Sequence, residues 1–302
     1  MTLVVGATGL LGSHICALLA DRGTPLKALT RNSSNADKVA DLRKGGAEIV
    51  RGDLKDLQSL QAACRGVHTV ISTASSTLSR QEGDSIDSVD RQGQLNLIEA
   101  AETAGVKHFV LISFPNASIE FPLQSAKRVV EDRLRRSAMT HTILQPTFFM
   151  EVWLSPALGF DPANGTAQIY GNGQNRISWI SFQDVARFAV AAVDNQRAVN
   201  ATVKLGGPEA LSPLEVVRVV ETTIGKPVSV QHVPVEALRA QHGAATDSLQ
   251  QSFAGLMLYY ASGDVIDMTE ATRLLPVDRL KSVRDHFQAT ASTVGGTLNR
   301  HS

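Results

Sequence analysis

Short apolar runs alternate with helical segments along the first half of the chain. Leu3, Val4 and Val5 close on Gly6, and a helix is predicted from Leu10 to Arg22, with Ile15, Leu18 and Leu19 at helical spacing and Gly23 as its stop. The same alternation predicts strands at Pro25–Thr30, Ala47–Arg51, Thr69–Thr73, His108–Ser113 and Thr140–Pro146. Between them it predicts helices near Ala36–Lys44, Leu57–Cys64, Ser88–Ala104 and Ser125–Ser137. Gly23, Gly45, Gly46, Gly66 and Gly105 punctuate the helix ends. The strands are apolar on both faces, which suits a parallel sheet covered by helices on each side. After Thr147 the pattern changes. Residues 148–176 are rich in Phe, Pro, Gly and Asn and read as loop and lobe. Ile177–Ile180 and Phe182–Val193 read as a strand and a helix returning to the main domain, and Thr202–Leu205 as a further strand. Beyond Pro208 come a capped helix (Ser212, Pro213, Glu215), a short strand at Val228–Val233 and several helices, with 294–302 expected to fray. The expected fold class is α/β, a doubly wound parallel sheet with a smaller C-terminal lobe.

Glycines at 6, 9 and 12 stand between the first strand and the first helix. That placement makes a phosphate cradle: Gly6 allows a tight turn, Gly9 lets backbone N–H groups approach a pyrophosphate, and Gly12 lets the helix pack close to the strand. The spacing is G-x-x-G-x-x-G, and the expected cradle comprises Gly6, Thr8, Gly9, Leu10, Leu11 and Gly12. Residues 1–150 are thus expected to bind a dinucleotide, with 177–206 returning to them. Residues 151–176 and 207–302 would form the smaller substrate-side lobe. The second strand ends at Thr30-Arg31-Asn32-Ser33, with no carboxylate nearer than Asp37. An arginine there suits a 2′-phosphate, which its planar fork grips with two charge-assisted bonds, so NADPH is expected over NADH. Asn32 and Ser33 could add donors. Asp53, followed by Leu54, sits beside the adenine in this fold or caps the next helix, and the sequence leaves both open. Thr73, Ala74 and Ser75 are small residues where the dinucleotide backbone would pass.

Composition narrows the function classes. The 302 residues carry 29 basic and 29 acidic side chains, so nothing electrostatic argues for nucleic acid or an anionic membrane. The chain begins on a strand, no leader pattern is visible and no apolar run reaches about 18 residues, so a cytoplasmic protein is expected. Cys16 and Cys64 fall in predicted helices and read as small buried apolar residues. The eight histidines show no metal-ligand spacing, so no metal site is expected. No G-x-S-x-G elbow supports hydrolase chemistry. Phe148, Phe149, Trp153, Phe160 and Trp179 gather aromatics after the sixth strand, as a lobe core or as walls for a planar apolar substrate.

GATGLLG at 6–12, Thr30-Arg31, Gly52-Asp53, N-L-I-E-A-A at 96–101 and Gly105-Val106-Lys107 before a strand ending Ile112-Ser113 together form a known pattern. They resemble the atypical short-chain dehydrogenase/reductases of the NmrA-like and isoflavone-reductase-like branch over roughly residues 2–235, which implies a Rossmann-type dinucleotide-binding domain. Ile143 to Met150 resembles the segment that lines the nicotinamide pocket there, which implicates Pro146, Thr147, Phe148 and Phe149. Dehydrogenases of the wider superfamily use a Tyr-x-x-x-Lys pair. Here the lysine aligns with Lys127, but Leu123 stands where the tyrosine would be, and leucine carries no proton. The resemblance gives Lys127 a cofactor or catalytic contact, and helix geometry is compatible, since Lys127 lies on the edge of the arc formed by Ala126, Val130 and Leu134. The bland alternative is a solvated lysine in a helix laced by Glu131–Arg135 and Asp132–Arg136 pairs. Ser113 aligns with a serine beside the substrate carbonyl, or is simply a polar strand end. Asn96 reads as a residue that bonds backbone. Tyr170, Tyr259 and Tyr260 are the only tyrosines, and one of them could supply the missing acid. Two functions remain: an NADPH-dependent reductase of a small apolar acceptor (enone, quinone, imine or carbonyl), which is preferred, and a non-catalytic NADP(H)-binding regulator of the NmrA type. Neither the acceptor nor the oligomeric state is legible.

Overall fold

Period and punctuation in the first half of the chain translate directly into a threaded sheet. The computed structural model describes residues 1–78 and 80–289; the segment 294–302 lies outside the described residues. In chain order the elements are β1 (Thr2–Val5), α1 (Leu10–Asp21), β2 (Leu26–Thr30), α2 (Ala36–Lys44), β3 (Glu48–Arg51), α3 (Leu57–Cys64) and β4 (Thr69–Ser72). A π-helical segment, Ile86–Gly93, then runs straight into α4 (Gln94–Thr103), followed by β5 (His108–Ile112), α5 (Pro122–Arg135) and β6 (Thr140–Pro146). Farther on come α6 (Met150–Trp153), β7 (Phe160–Asp161), β8 (Thr166–Tyr170), α7 (Phe182–Ala191), β9 (Ala201–Leu205) and α8 (Pro213–Ile224). The series closes with β10 (Ser229–Val233), α9 (Val235–Ala244), α10 (Ser248–Ser262) and α11 (Thr269–Leu274), and residues 283–289 are helical.

Among the described residues, seven parallel strands form one sheet in the order β3-β2-β1-β4-β5-β6-β9. Successive side chains point to opposite faces, so the buried strands feed two cores. Val4, Ile71, Val110 and Leu144 pack on one face with Ile15 of α1 and Val185 of α7. Leu3, Val70, Phe109 and Ile143 pack on the other with Leu60, Leu97 and Val130 of α3, α4 and α5. The strand order reverses between β1 and β4, and there the outgoing chains part to opposite faces and open a crevice at the carboxyl edge. The edge strands carry charge outward, Glu48 and Arg51 on β3 and Lys204 on β9, as edges that must not pair with another chain do. Cys16 and Cys64 are buried as expected, and burial pushes their thiols up to about 12 and about 11, the latter against the opposing pull of Lys27.

A second sheet, β10-β8-β7, lies under α9 and α10. The strand expected at Val228–Val233 is β10, whereas composition over 148–176 hid β7 and β8, because Gly159 and Gly165, both at positive φ, break that segment into short pieces. Three expectations are corrected. Ile177–Ile180 is not a strand of the main sheet: Ile177 bridges to Leu211 and Asp264, Ile180 bridges to Phe149, and β9 takes the place beside β6. The segment is held by the lobe instead, with Trp179 fully buried and its Nε1 donating to Leu211 O. The helix expected at Ser88–Ala104 divides into the π-helical turn and α4. On α5, Arg135 pairs with both Glu131 and Asp132, in place of the expected Asp132–Arg136 pair. Among the described residues no helix is long and apolar enough to cross a membrane.

Candidate cofactor and active site

The crevice is built from the turns that leave β1, β2, β3, β4, β5 and β6. Gly6, directly after β1, has φ +86, a conformation that only glycine adopts without strain. A Cβ there would also stand 2.5 Å from Thr73 Oγ1 and 3.0 Å from Ala74 N, so the loops after β1 and β4 touch at the switch point. A Cβ on Gly12 would collide with Gly6 O. Glycine at both positions therefore brings the start of α1 against the strand end. Gly9 is the N-cap of α1 and provides no side-chain cap, so the first N–H groups of the helix, Leu10, Leu11 and Gly12, have no intrahelical partner. A Cβ on Gly9 would lie 3.1 Å from Gly6 O and would fill the space in front of them. These uncapped donors, together with the positive end of the helix dipole, suit a pyrophosphate. Thr8 O accepts from Lys38 Nζ at 3.2 Å. Across the crevice the loop after β4 is braced by buried Gln94, which accepts from Ser72 Oγ at 2.8 Å and donates to Ala74 O at 3.0 Å, while Ser75 and Thr77 share a hydrogen bond of 3.1 Å. Two concavities lie away from this edge. One of about 630 Å³ lies between α1, α7 and Arg279–Lys281, and one of about 530 Å³ lies at the amino ends of the strands around His68, His108 and Thr140.

At the end of β2, Arg31 is half-buried and its Nη1 lies 2.6 Å from Asp84 Oδ2; Lys55 Nζ reaches the other oxygen, Oδ1, at 2.6 Å. Burial raises the Asp84 carboxyl, but the hydrogen bonds from Lys55 and Arg31 outweigh it and hold the group below the usual carboxylate range. Gln81 N also donates to Asp84, and Ser33 Oγ donates to Gln81 Oε1 at 2.5 Å, so the segment around 81–84 is fastened over the end of β2. Asn32 is exposed. Asp53 accepts from Lys55 N at 2.9 Å, and the cap of α3 is Asp56, which settles the open alternative against Asp53 as that cap. Leu54 is buried among Leu29, Leu60 and Leu97 and its side chain belongs to the core.

Lys127 sits one turn into α5, 6% exposed. Its Nζ lies 3.6 Å from Oδ1 of Asp90, a fully buried aspartate on the π-helical segment. The other oxygen, Oδ2, accepts from Ser76 N at 3.0 Å and Ser76 Oγ at 2.6 Å. The solvated-lysine alternative is excluded. Leu123 is 4% exposed and packs with Ile86, Phe121 and Ala126.

The NmrA-like family model matches residues 1–279. The chain belongs to that family. An NAD(P)H azoreductase of Xenophilus azovorans is 31% identical over 94% of this chain and 91% of its own length. The photosystem II assembly factor Ycf39 of a Synechocystis strain is 32% identical over 78% of this chain and 72% of its own. Among solved structures, the binary complex of leucoanthocyanidin reductase with NADPH from Vitis vinifera superposes with a TM-score of 0.78 at 22% identity, covering 95% of this chain and 98% of that one. That likeness shows the Rossmann-type fold.

In this NmrA-like chain Ser113, the residue after β5, is buried and accepts from Arg128 Nη2 at 3.0 Å. Arg128 also donates to Phe114 O at 2.5 Å and Asn116 Oδ1 at 3.0 Å, pairs with Glu131 at 2.9 Å, and lies over the Phe114 ring. Arg128 went unremarked in the sequence because nothing distinguished it from its charged neighbours. Pro146 and Thr147 are buried at the end of β6, where Thr147 Oγ1 accepts from Phe148 N at 2.5 Å. The Phe148 ring packs against Trp153, Trp179, Tyr259 and Tyr260. Phe149 is half-buried, its ring tilted against that of Phe182 with centroids 4.4 Å apart. The tyrosines belong to the lobe core. Tyr259 donates to Asp264, Tyr170 donates to Leu158 O, and burial raises all three phenols. Asn96 bonds backbone, donating to Leu54 O at 3.1 Å. Asp84, Lys55, Asp90 and Ser76 escaped sequence reading because their partners are far along the chain.

Proposed function

We propose that the chain is an NADPH-dependent reductase of a small apolar acceptor, an enone, quinone, imine or carbonyl, with Lys127 in the place of the superfamily's tyrosine–lysine pair. The observation that carries this reading is a buried ammonium on α5 at the same sheet edge as an uncapped glycine cradle. NADPH, when bound, supplies the hydride. Gly6, Thr8, Gly9, Leu10, Leu11 and Gly12 would hold its pyrophosphate through backbone donors. Arg31, with Asn32 and Ser33, would hold the 2′-phosphate, for which Asp84 competes as the anion already on that cation. Asp53 would meet the adenine, and Thr73, Ala74 and Ser75 would let the dinucleotide pass close. Pro146, Thr147 and Phe149 would face the nicotinamide end. Ser113, fixed by Arg128, would offer its hydroxyl on the acceptor side. Lys127 donates a proton or a charge-assisted hydrogen bond to the oxygen or nitrogen on which negative charge develops, in a site shielded from water.

The relative named an NAD(P)H azoreductase and the structural neighbour named a leucoanthocyanidin reductase, solved with NADPH, support this class. The likeness to an assembly factor and the leucine at 123 favour the alternative, an NADP(H)-binding regulator that turns nothing over. Titration with NADPH and NADH by cofactor fluorescence, followed by a screen for NADPH oxidation over azo dyes, quinones, enones and carbonyls, separates the two. Tight NADPH binding with turnover of at least one acceptor is expected. Binding with no oxidation across the panel would point to the regulator, and no binding at all would sink both.

A further inference from the structure

The Lys127–Asp90 pair is geometrically incomplete. An ammonium and a carboxylate in hydrogen-bond contact close to about 2.7–2.9 Å, whereas Nζ and Oδ1 stand 3.6 Å apart. Both groups are buried, and Asp90 Oδ1 has no hydrogen-bond partner among the described residues. A buried carboxylate oxygen left this way is costly, and such an arrangement persists only where the surroundings enforce it. Here they do. Ser76 grips Oδ2 twice from the loop after β4, and Asp90 sits on the π-helical turn that packs against α5. Gly93 closes the turn against Leu54, where a Cβ would lie 2.8 Å from Leu54 Cβ and 2.9 Å from Ser88 O.

The other charges on the elements around α5 are engaged elsewhere. Arg128 is taken by Glu131 and the loop after β5, Arg133 by Glu102, Arg135 by Glu131 and Asp132, and Arg91 by Asp87. Glu99 on α4 is exposed, and α10, which packs on α5, carries no charged residue. Asp90 is therefore the one anion that faces Lys127 among the described residues.

We infer that Asp90 is a positioning residue for Lys127. It holds the ammonium in place while withholding a direct hydrogen bond, so that the donors of Nζ stay available to an oxygen entering the crevice. Ser76 is its anchor, which ties the lysine to the loop that the dinucleotide would touch. The inference rests on the reading that Lys127 works in the crevice, and its test keeps the two apart.

The test is a pH titration of the folded, full-length protein by NMR, with ¹³Cε-labelled lysine and ¹³Cγ-labelled aspartate. Lys127→Met identifies the lysine signal and Asp90→Asn the aspartate signal. In Asp90→Asn the Lys127 signal should titrate about one to three pH units lower than in the unmodified protein. The basic limb of the pH profile for turnover should move down with it. Coupling is reciprocal, so in Lys127→Met the Asp90 signal should titrate at least about one unit higher, which keeps the test valid if Asp90→Asn does not fold. A Lys127 titration unmoved in a natively melting Asp90→Asn protein, or an Asp90 titration unmoved in Lys127→Met, overturns the inference and leaves the proposed function standing. Coupled titrations combined with turnover indifferent to Lys127→Met would instead overturn the role of Lys127, and the positioning role with it.

Discussion

Lys127 and Arg31 are the two cations that the proposed chemistry needs, and the fold treats them in opposite ways. Lys127 is buried with its carboxylate at a distance, whereas Arg31 is half-buried with a carboxylate in contact. For Lys127, removal of one group that stabilises developing charge costs about 10²–10³ in turnover. Lys127→Ala should show that loss in initial rates of NADPH oxidation while NADPH affinity changes modestly. Lys127→Arg should not restore the rate, because a guanidinium does not give up its proton at workable pH. For Arg31, a charge-assisted contact is worth about 1.5–3 kcal/mol, so Arg31→Ala should remove a preference for NADPH over NADH of roughly 10–150-fold. Asp84→Asn should act in the reverse direction and raise that preference, because the phosphate no longer displaces a carboxylate from Arg31 and Lys55. Fluorescence titrations of both cofactors decide it, and equal affinities in the unmodified protein would defeat the assignment of Arg31.

At the scale of elements, the turn from β1 to α1 separates stability from binding. Gly12 packs against Gly6 O, so Gly12→Ala must push the helix off the sheet and should cost about 1–3 kcal/mol of stability in denaturant melts. Gly9 has ordinary negative φ, and the one neighbour within 4 Å of its Cβ position is Gly6 O at 3.1 Å, so Gly9→Val should melt near the native temperature and lose NADPH. Retained binding in Gly9→Val would remove the cradle from the account. This turn was legible because glycine spacing and the flanking periods all lie within a dozen residues. The parallel strands were legible for the same reason, each being a short apolar run with its own stop. The π-helical turn was not, since an inserted residue shifts the phase of a periodic pattern without changing its composition, and it hid Asp90 on what reads as an ordinary helix. Ile177–Ile180 was apolar enough for a strand, but its partners are set by the lobe, in Leu211 and Asp264. Asp84 and Arg31 meet only because the loop after β4 folds back over β2, a contact that no local pattern encodes.

The whole molecule should respond to acid through its histidines. Burial, the largest cause at each site, lowers His108, His141 and His286, the last to about 4. An unfolded chain takes up those protons near pH 6.5, and the folded chain takes up that of His286 only near pH 4. Acidification through this window therefore favours the unfolded chain. The melting temperature should fall from about pH 6.5 down to about pH 4, and His286→Gln should flatten part of the slope. A melting temperature constant across that range would contradict the burial of these rings. The sheet carries a second consequence at this scale, one of timing. β6 is buried along nearly its whole length, while its outer neighbour β9 is drawn from residues 201–205, after the intervening strands and helices of 148–200. During synthesis six strands are complete some fifty residues before the seventh arrives, and until then Ile143 and Leu144 border an unpaired edge without the protecting lysine that β9 later presents. A nascent chain paused in that interval leaves this edge open to pairing with another chain, so slowing translation between residues 147 and 205 should lower soluble yield while leaving the finished protein unchanged.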